Sequence, residues 1–89
     1  MTEQEFLDFV ATKGYQKTGQ SEYAADMNNE EHTHDFAFAA LVLEGSFKLT
    51  TVEGESVLGP GDMWSLEAGV RHTEEVIGGN PVKFVYGVG

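Results

Sequence analysis

Residues 61–72 read Gly61-Asp62-Met63-Trp64-Ser65-Leu66-Glu67-Ala68-Gly69-Val70-Arg71-His72, and this stretch, taken with His32-Thr33-His34 upstream, decides the fold. It is bounded and broken by turn formers. Gly59-Pro60-Gly61-Asp62 precedes it and Ala68-Gly69-Val70 interrupts it, so the backbone must reverse at both places. Met63 to Leu66 then suits a short strand, and His72 to Ile77 begins another. Downstream, Gly78-Gly79-Asn80-Pro81 turns the chain into Val82 to Val88, with Phe84 and Tyr86 on one side. Upstream, Val57 and Leu58 follow a turn at Glu53-Gly54-Glu55, and Ser46 to Val52 places Phe47, Leu49 and Thr51 on one side. Phe36 to Leu43 is apolar throughout, as a strand covered on both faces is, and Gly45 ends it. Asn28-Asn29 reads as a turn, while Tyr15 to Lys17 and Glu22 to Met27 read as short strands split by Gly19. Short strands at a spacing of about 8–12 residues, joined by Gly-rich turns, predict a sandwich or barrel.

The first residues have a different period. Phe6, Phe9 and Val10 share one helical face, Thr2 and Glu5 form a capping-box pair, and Gly14 suits a helix C-terminus. The spacing predicts a helix over about 3–13 that seals one end of a barrel over about 15–88. We read residues 1–89 as a single domain.

Composition excludes several classes. With 15 acidic and 5 basic residues the formal charge is −10, so the Lys and Arg clusters that bind phosphate are absent and no nucleic-acid partner is expected. No apolar run approaches the ~20 residues of a membrane span, and MTEQEFLDFV carries no signal-peptide pattern, so we expect no membrane partner and a cytoplasmic location. There is no cysteine to cross-link so short a chain. A bound metal or a partner subunit is the remaining source of extra stability.

The chemistry lies in the histidines. On a strand, His32 and His34 face the same side, and ligands of one ion stand about 3.0–3.4 Å apart when metal–nitrogen bonds are near 2.1 Å. His72 is the only other histidine in the chain. Here the sequence resembles the cupin superfamily. His32-Thr33-His34 followed by Leu43-Glu44-Gly45 is similar to the first cupin motif, and the run from Gly61 to His72 is similar to the second. The resemblance covers residues 26–76, with a short spacer, and also extends to the ligand-sensing cupin domain of arabinose-responsive regulators. It implies an all-β fold, a single jelly-roll cupin barrel with a short N-terminal helix. It also implies a divalent transition metal on His32, His34 and His72, and a homodimer.

Departures from the pattern are specific. The first motif's Glu ligand falls on Phe38 or Ala39; Asp26, Glu67 and Val76 replace the motifs' usual Gly, Pro and Asn. Three neutral imidazoles leave an ion its full charge and open positions. They suit Fe, Zn, Ni, Co or Cu, and Mn less well. The resemblance implies a dioxygenase- or isomerase-type metalloenzyme acting on a small molecule, or else a small-ligand binding or sensing module. Histidines that hold only water are the plain alternative.

Glu74, two residues after His72, points to the same side of a straight strand. It is a candidate general base, fourth ligand or partner fixing histidine tautomers, unless a twist or bulge exposes it. Asp35 should face away from the site, and Arg71 should lie at the surface. Phe36, Phe38, Trp64 and Tyr86 are candidates for the wall of a binding cavity, with Phe84 beside them; ordinary core packing is the alternative.

Overall fold

The computed structural model describes residues 1–89. Helix α1 (Glu3–Thr12) precedes seven strands: β1 (Lys17–Tyr23), β2 (Phe38–Glu44), β3 (Ser46–Thr51), β4 (Gly54–Leu58), β5 (Met63–Leu66), β6 (His72–Ile77) and β7 (Val82–Val88). They form a four-stranded sheet in the order β1-β7-β2-β5 and a three-stranded sheet in the order β4-β3-β6. All pairings between these strands are antiparallel. The architecture is the expected all-β jelly roll with one short helix, built as two facing open sheets rather than a closed cylinder.

Strand β2 shows why its sequence is apolar throughout. Ala40 and Val42 point between the sheets, into a cluster with Phe47, Trp64, Val76 and Phe84. Ala39 and Leu41 point outward and are covered by Phe6 and Val10 of α1, together with Val85. The helix therefore packs on its own domain, as the stripe predicts, but it covers the outer face of the four-stranded sheet where the sequence reading places it at one end of the barrel. Its start carries the expected capping box, with Thr2 accepting from the Glu5 N–H and Glu5 accepting from the Thr2 N–H.

Three further expectations need correction. Strand β1 runs unbroken through Gly19, because the missing side chain is the space taken by Tyr86: a Cβ there would stand 2.8 Å from the Tyr86 hydroxyl oxygen. Strand β2 begins at Phe38, leaving Phe36 in the preceding segment. His32-Thr33-His34 is not a regular strand; His32 makes one isolated antiparallel bridge, to His72.

Gly45, between β2 and β3, passes the chain from one sheet to the other with φ +85°, and a Cβ there would meet the Pro81 carbonyl oxygen at 2.4 Å. Neither the conformation nor the space admits a side chain. Gly45→Ala should cost about 2–3 kcal/mol or more, lowering Tm by roughly 10 °C or more in a domain of this size. Thermal unfolding followed by circular dichroism measures it.

Candidate metal centre

His72 opens β6 and is 2 % exposed. The far edge of β6 is not left free. The irregular segment after β1 lies along it: Val76 N–H donates to Met27 O (2.9 Å), Asn29 N–H to Glu74 O (3.1 Å), and His32 and His72 exchange both backbone bonds (3.0 and 3.1 Å). His32 is thereby set directly across from His72, with ring centroids 4.2 Å apart. The Gly69 N–H donates to His34 O at 2.8 Å, tying the far end of this segment to the turn before β6. The His34 ring lies 5.1 Å from His32 and 5.0 Å from His72. Convergence thus comes from cross-strand pairing, where the sequence suggested same-face alternation along one strand.

The donor atoms of His32, His34 and His72 all lie within 4.8 Å of one another. Two tautomers are fixed. His32 Nδ1 faces Glu30 O (2.9 Å) and His72 Nδ1 faces Val70 O (3.0 Å). A carbonyl only accepts, so each Nδ1 carries a proton, and in the neutral ring each Nε2 has its lone pair toward the cluster. His34 lies against Phe36, stacked at 4.9 Å and 21°. Burial, then the neighbouring His72 and His32, lower its pKa from the ordinary 6.5, keeping it neutral further into acid. The donor set fits a transition metal: three converging imidazoles, two of them with the back nitrogen anchored on a carbonyl.

Glu74 is 4 % exposed, so the exposed alternative is overturned. Strand β6 is straight enough that His72, Glu74 and Val76 all face inward. The Tyr23 hydroxyl donates to Glu74 Oε2, Asn29 Nδ2 donates to Oε1 at 3.2 Å, and the Glu74 N–H donates to Asn29 Oδ1 at 2.7 Å. Burial first, then the Glu74 charge and its hydrogen bond, raise the Tyr23 pKa well above its ordinary value, so this hydroxyl stays a donor. Because the Nδ1 atoms of His32 and His72 are already held by carbonyls, Glu74 does not fix their tautomers. It faces their Nε2 atoms instead, at 3.7 Å (His32) and 3.8 Å (His72). Sequence reading missed Tyr23 and took Asn29 only for a turn residue. Both act across pairings that no local pattern signals.

The histidines and Glu74 form one end of an open cavity of about 390 Å³. Phe36, Phe38, Trp64 and Tyr86 line it, joined by Leu66, Phe84 and Val88. Phe38 stacks on Tyr86 (6.0 Å, 16°) and stands 6.3 Å from His34. No Lys or Arg is among the lining residues. Arg71 is exposed and faces Glu31 (3.5 Å), and Asp35 is exposed, as the strand-side argument expects.

The cupin-domain family matches residues 20–88, a span that begins within β1 and holds β2 to β7 and all three histidines. The chain belongs to the cupin family. No curated protein sequence matches this cupin, but solved structures show its fold widely. A structure of Drosophila melanogaster CENP-C bound to CAL1 is similar over 81 % of this chain and 60 % of that one, at 18 % identity and TM-score 0.72. The cupin domain of Schizosaccharomyces pombe Cnp3 is similar over 80 % of this chain and 50 % of that one, at 15 % identity and TM-score 0.72. A Rhizobium leguminosarum protein of unknown function matches over 80 % of this chain and 66 % of its own, at 21 % identity and TM-score 0.72. This cupin therefore spans between half and about two thirds of these structures. At such identities they share the fold alone, and function must be argued from the site.

Proposed function

We propose that this cupin holds one divalent transition metal on His32, His34 and His72 and presents it to a small, partly apolar molecule in the adjoining cavity. The observation that carries the reading is the set of three donors within 4.8 Å, with Nδ1 of His32 and His72 held by carbonyls on the side away from the cluster. A bound ion would supply Lewis acidity and open coordination positions. The protein's own residues do the rest: carbonyls at Glu30 and Val70 orient two ligands, and Phe38, Trp64 and Tyr86 offer an apolar wall that excludes water from one side of the cavity. Iron, zinc, nickel, cobalt and copper fit imidazole donors.

Metal analysis of protein purified without added metal tests this. About one equivalent of a single transition metal, lost from a His72→Ala variant, is expected. Substoichiometric metal, unchanged in His72→Ala, would sink the proposal.

Binding should also be pH dependent, because only neutral imidazole ligates. The lowered pKa of His34 places its loss below 6.5, so affinity should hold at neutral pH and fall as the solution is acidified beyond that value. The same sign applies to the metal-free fold. His34 takes up a proton less readily folded than unfolded, so stability declines as pH drops below 6.5 and none is gained above it. Metal titrations across acid and neutral buffers check the direction.

A second reading, a metal-independent binding or sensing module, is favoured by the aromatic lining, since a cavity of about 390 Å³ without Lys or Arg accepts a neutral apolar ligand by itself. Thermal shifts against small neutral compounds with and without chelator separate the two, because ligand stabilisation that survives chelation needs no metal.

A further inference from the structure

Glu74 is the only carboxylate among the buried residues. Its ion-pair contacts are with His32 and His72, while Lys48, Lys83 and Arg71 pair with other acids elsewhere. Tyr23 and Asn29 give it neutral hydrogen bonds but no countercharge. A buried carboxylate needs close polar or cationic partners to offset its desolvation.

The arrangement around it sharpens the point. One oxygen, Oε1, stands 3.7 Å from His32 Nε2 and 3.8 Å from His72 Nε2. Nδ1 of each ring is taken up by a backbone carbonyl, so Nε2 is the nitrogen turned toward the gap, and in the neutral ring it offers a lone pair. One carboxylate oxygen and two imidazole nitrogens thus face one gap, each at a distance beyond a direct hydrogen bond. A divalent cation in that gap neutralises the carboxylate and satisfies both nitrogens together.

We infer that Glu74 is the fourth ligand of the metal centre, a carboxylate delivered by β6 from beside His72. Phe38 fills the wall next to His34, where β2 offers no donor. Glu74 lies outside the histidine set of donors within 4.8 Å, so ligation draws Oε1 inward by side-chain rotation. The 3.2 Å contact from Asn29 is long enough to yield, while Tyr23 holds the other oxygen and steers the rotation. Tyr23 and Asn29 are positioning residues. One consequence concerns metal choice: a three-histidine, one-carboxylate set admits Mn(II), which three imidazoles alone disfavour.

The inference rests on the three-histidine reading, and the test keeps the two apart. Metal-stripped full-length protein is titrated with Co(II) against a chromophoric chelator, and the visible Co(II) spectrum is recorded. Glu74→Gln should weaken Co(II) about 100-fold or more and shift the spectrum, as loss of a ligand does. Tyr23→Phe should weaken it about 10-fold with the spectral shape kept, because only orientation is lost. Glu74→Asp, which keeps the charge but shortens the reach, should weaken binding as Glu74→Gln does, and serves if the Gln variant fails to fold. Parent-like affinity and spectrum in Glu74→Gln or Glu74→Asp, with binding lost in His72→Ala, overturns the role of Glu74 and leaves the histidine site standing. Parent-like binding in His72→Ala overturns both.

Discussion

Replacing His72 with alanine is expected to erase the metal-dependent part of this protein's stability. With free metal at about a thousand times its Kd, binding to the folded state alone adds about 4 kcal/mol. For a domain of 60–100 residues each kcal/mol moves Tm by about 4–8 °C, so metal should raise the parent's Tm by roughly 15–30 °C. His72→Ala should show none of this rise. It should also melt somewhat lower without metal, because the ring is fully buried and its Nδ1–H bond to Val70 O, 3.0 Å long, is lost. His32→Ala provides the contrast. Its side chain is 33 % exposed, so the metal-free fold should barely change while the metal-dependent rise disappears as well. Calorimetric melts with chelator and with saturating metal give all four quantities. An undiminished metal response in His72→Ala would remove this histidine from the site.

Phe6→Ala should produce a loss of similar size by a different route. Phe6 is 0 % exposed and is the largest side chain in the small core between α1 and the four-stranded sheet. Truncating a buried phenylalanine typically costs about 3–5 kcal/mol, against a total stability of roughly 5–15 kcal/mol for a folded domain. Tm should fall by roughly 15–30 °C on the same scale. The metal centre should be spared in the protein that remains folded. Residues 39, 41 and 85 face the helix, whereas Phe38, Phe84 and Tyr86 face the cavity on the other side of the same strands. Metal affinity within a few-fold of the parent, alongside the lowered Tm, is the expected pair of results. A loss under about 1 kcal/mol would mean that α1 does not seal the sheet, because a helix resting loosely there would bury little area.

Much of this was legible from residue pattern. The turn formers at Gly45, Gly59-Pro60-Gly61-Asp62 and Gly78-Gly79-Asn80-Pro81 fall between strands in the structure because they offer backbone conformations that strands cannot use. Amphipathic spacing placed Phe6 and Val10 inward, and continuous apolarity marked β2 as covered on both faces. Period, cap and turn chemistry are local properties, encoded within a few residues of where they act.

Partners distant in the chain were not legible. Gly19 looks like a strand break until Tyr86 is seen lying over it. Asn29 and Tyr23 carry no sign in their own neighbourhoods that they will hold the carboxylate of Glu74. The sequence by itself determined an all-β chain with a helical cap and three histidines of the right chemistry for a metal. Only the tertiary structure decided that His32 pairs across from His72, that their Nε2 atoms face Glu74, and that Phe38 walls the cavity beside His34. The reason is physical: local propensity fixes which backbone conformation a segment prefers, whereas ligand geometry and buried charge depend on which segments the folding of two sheets brings into contact.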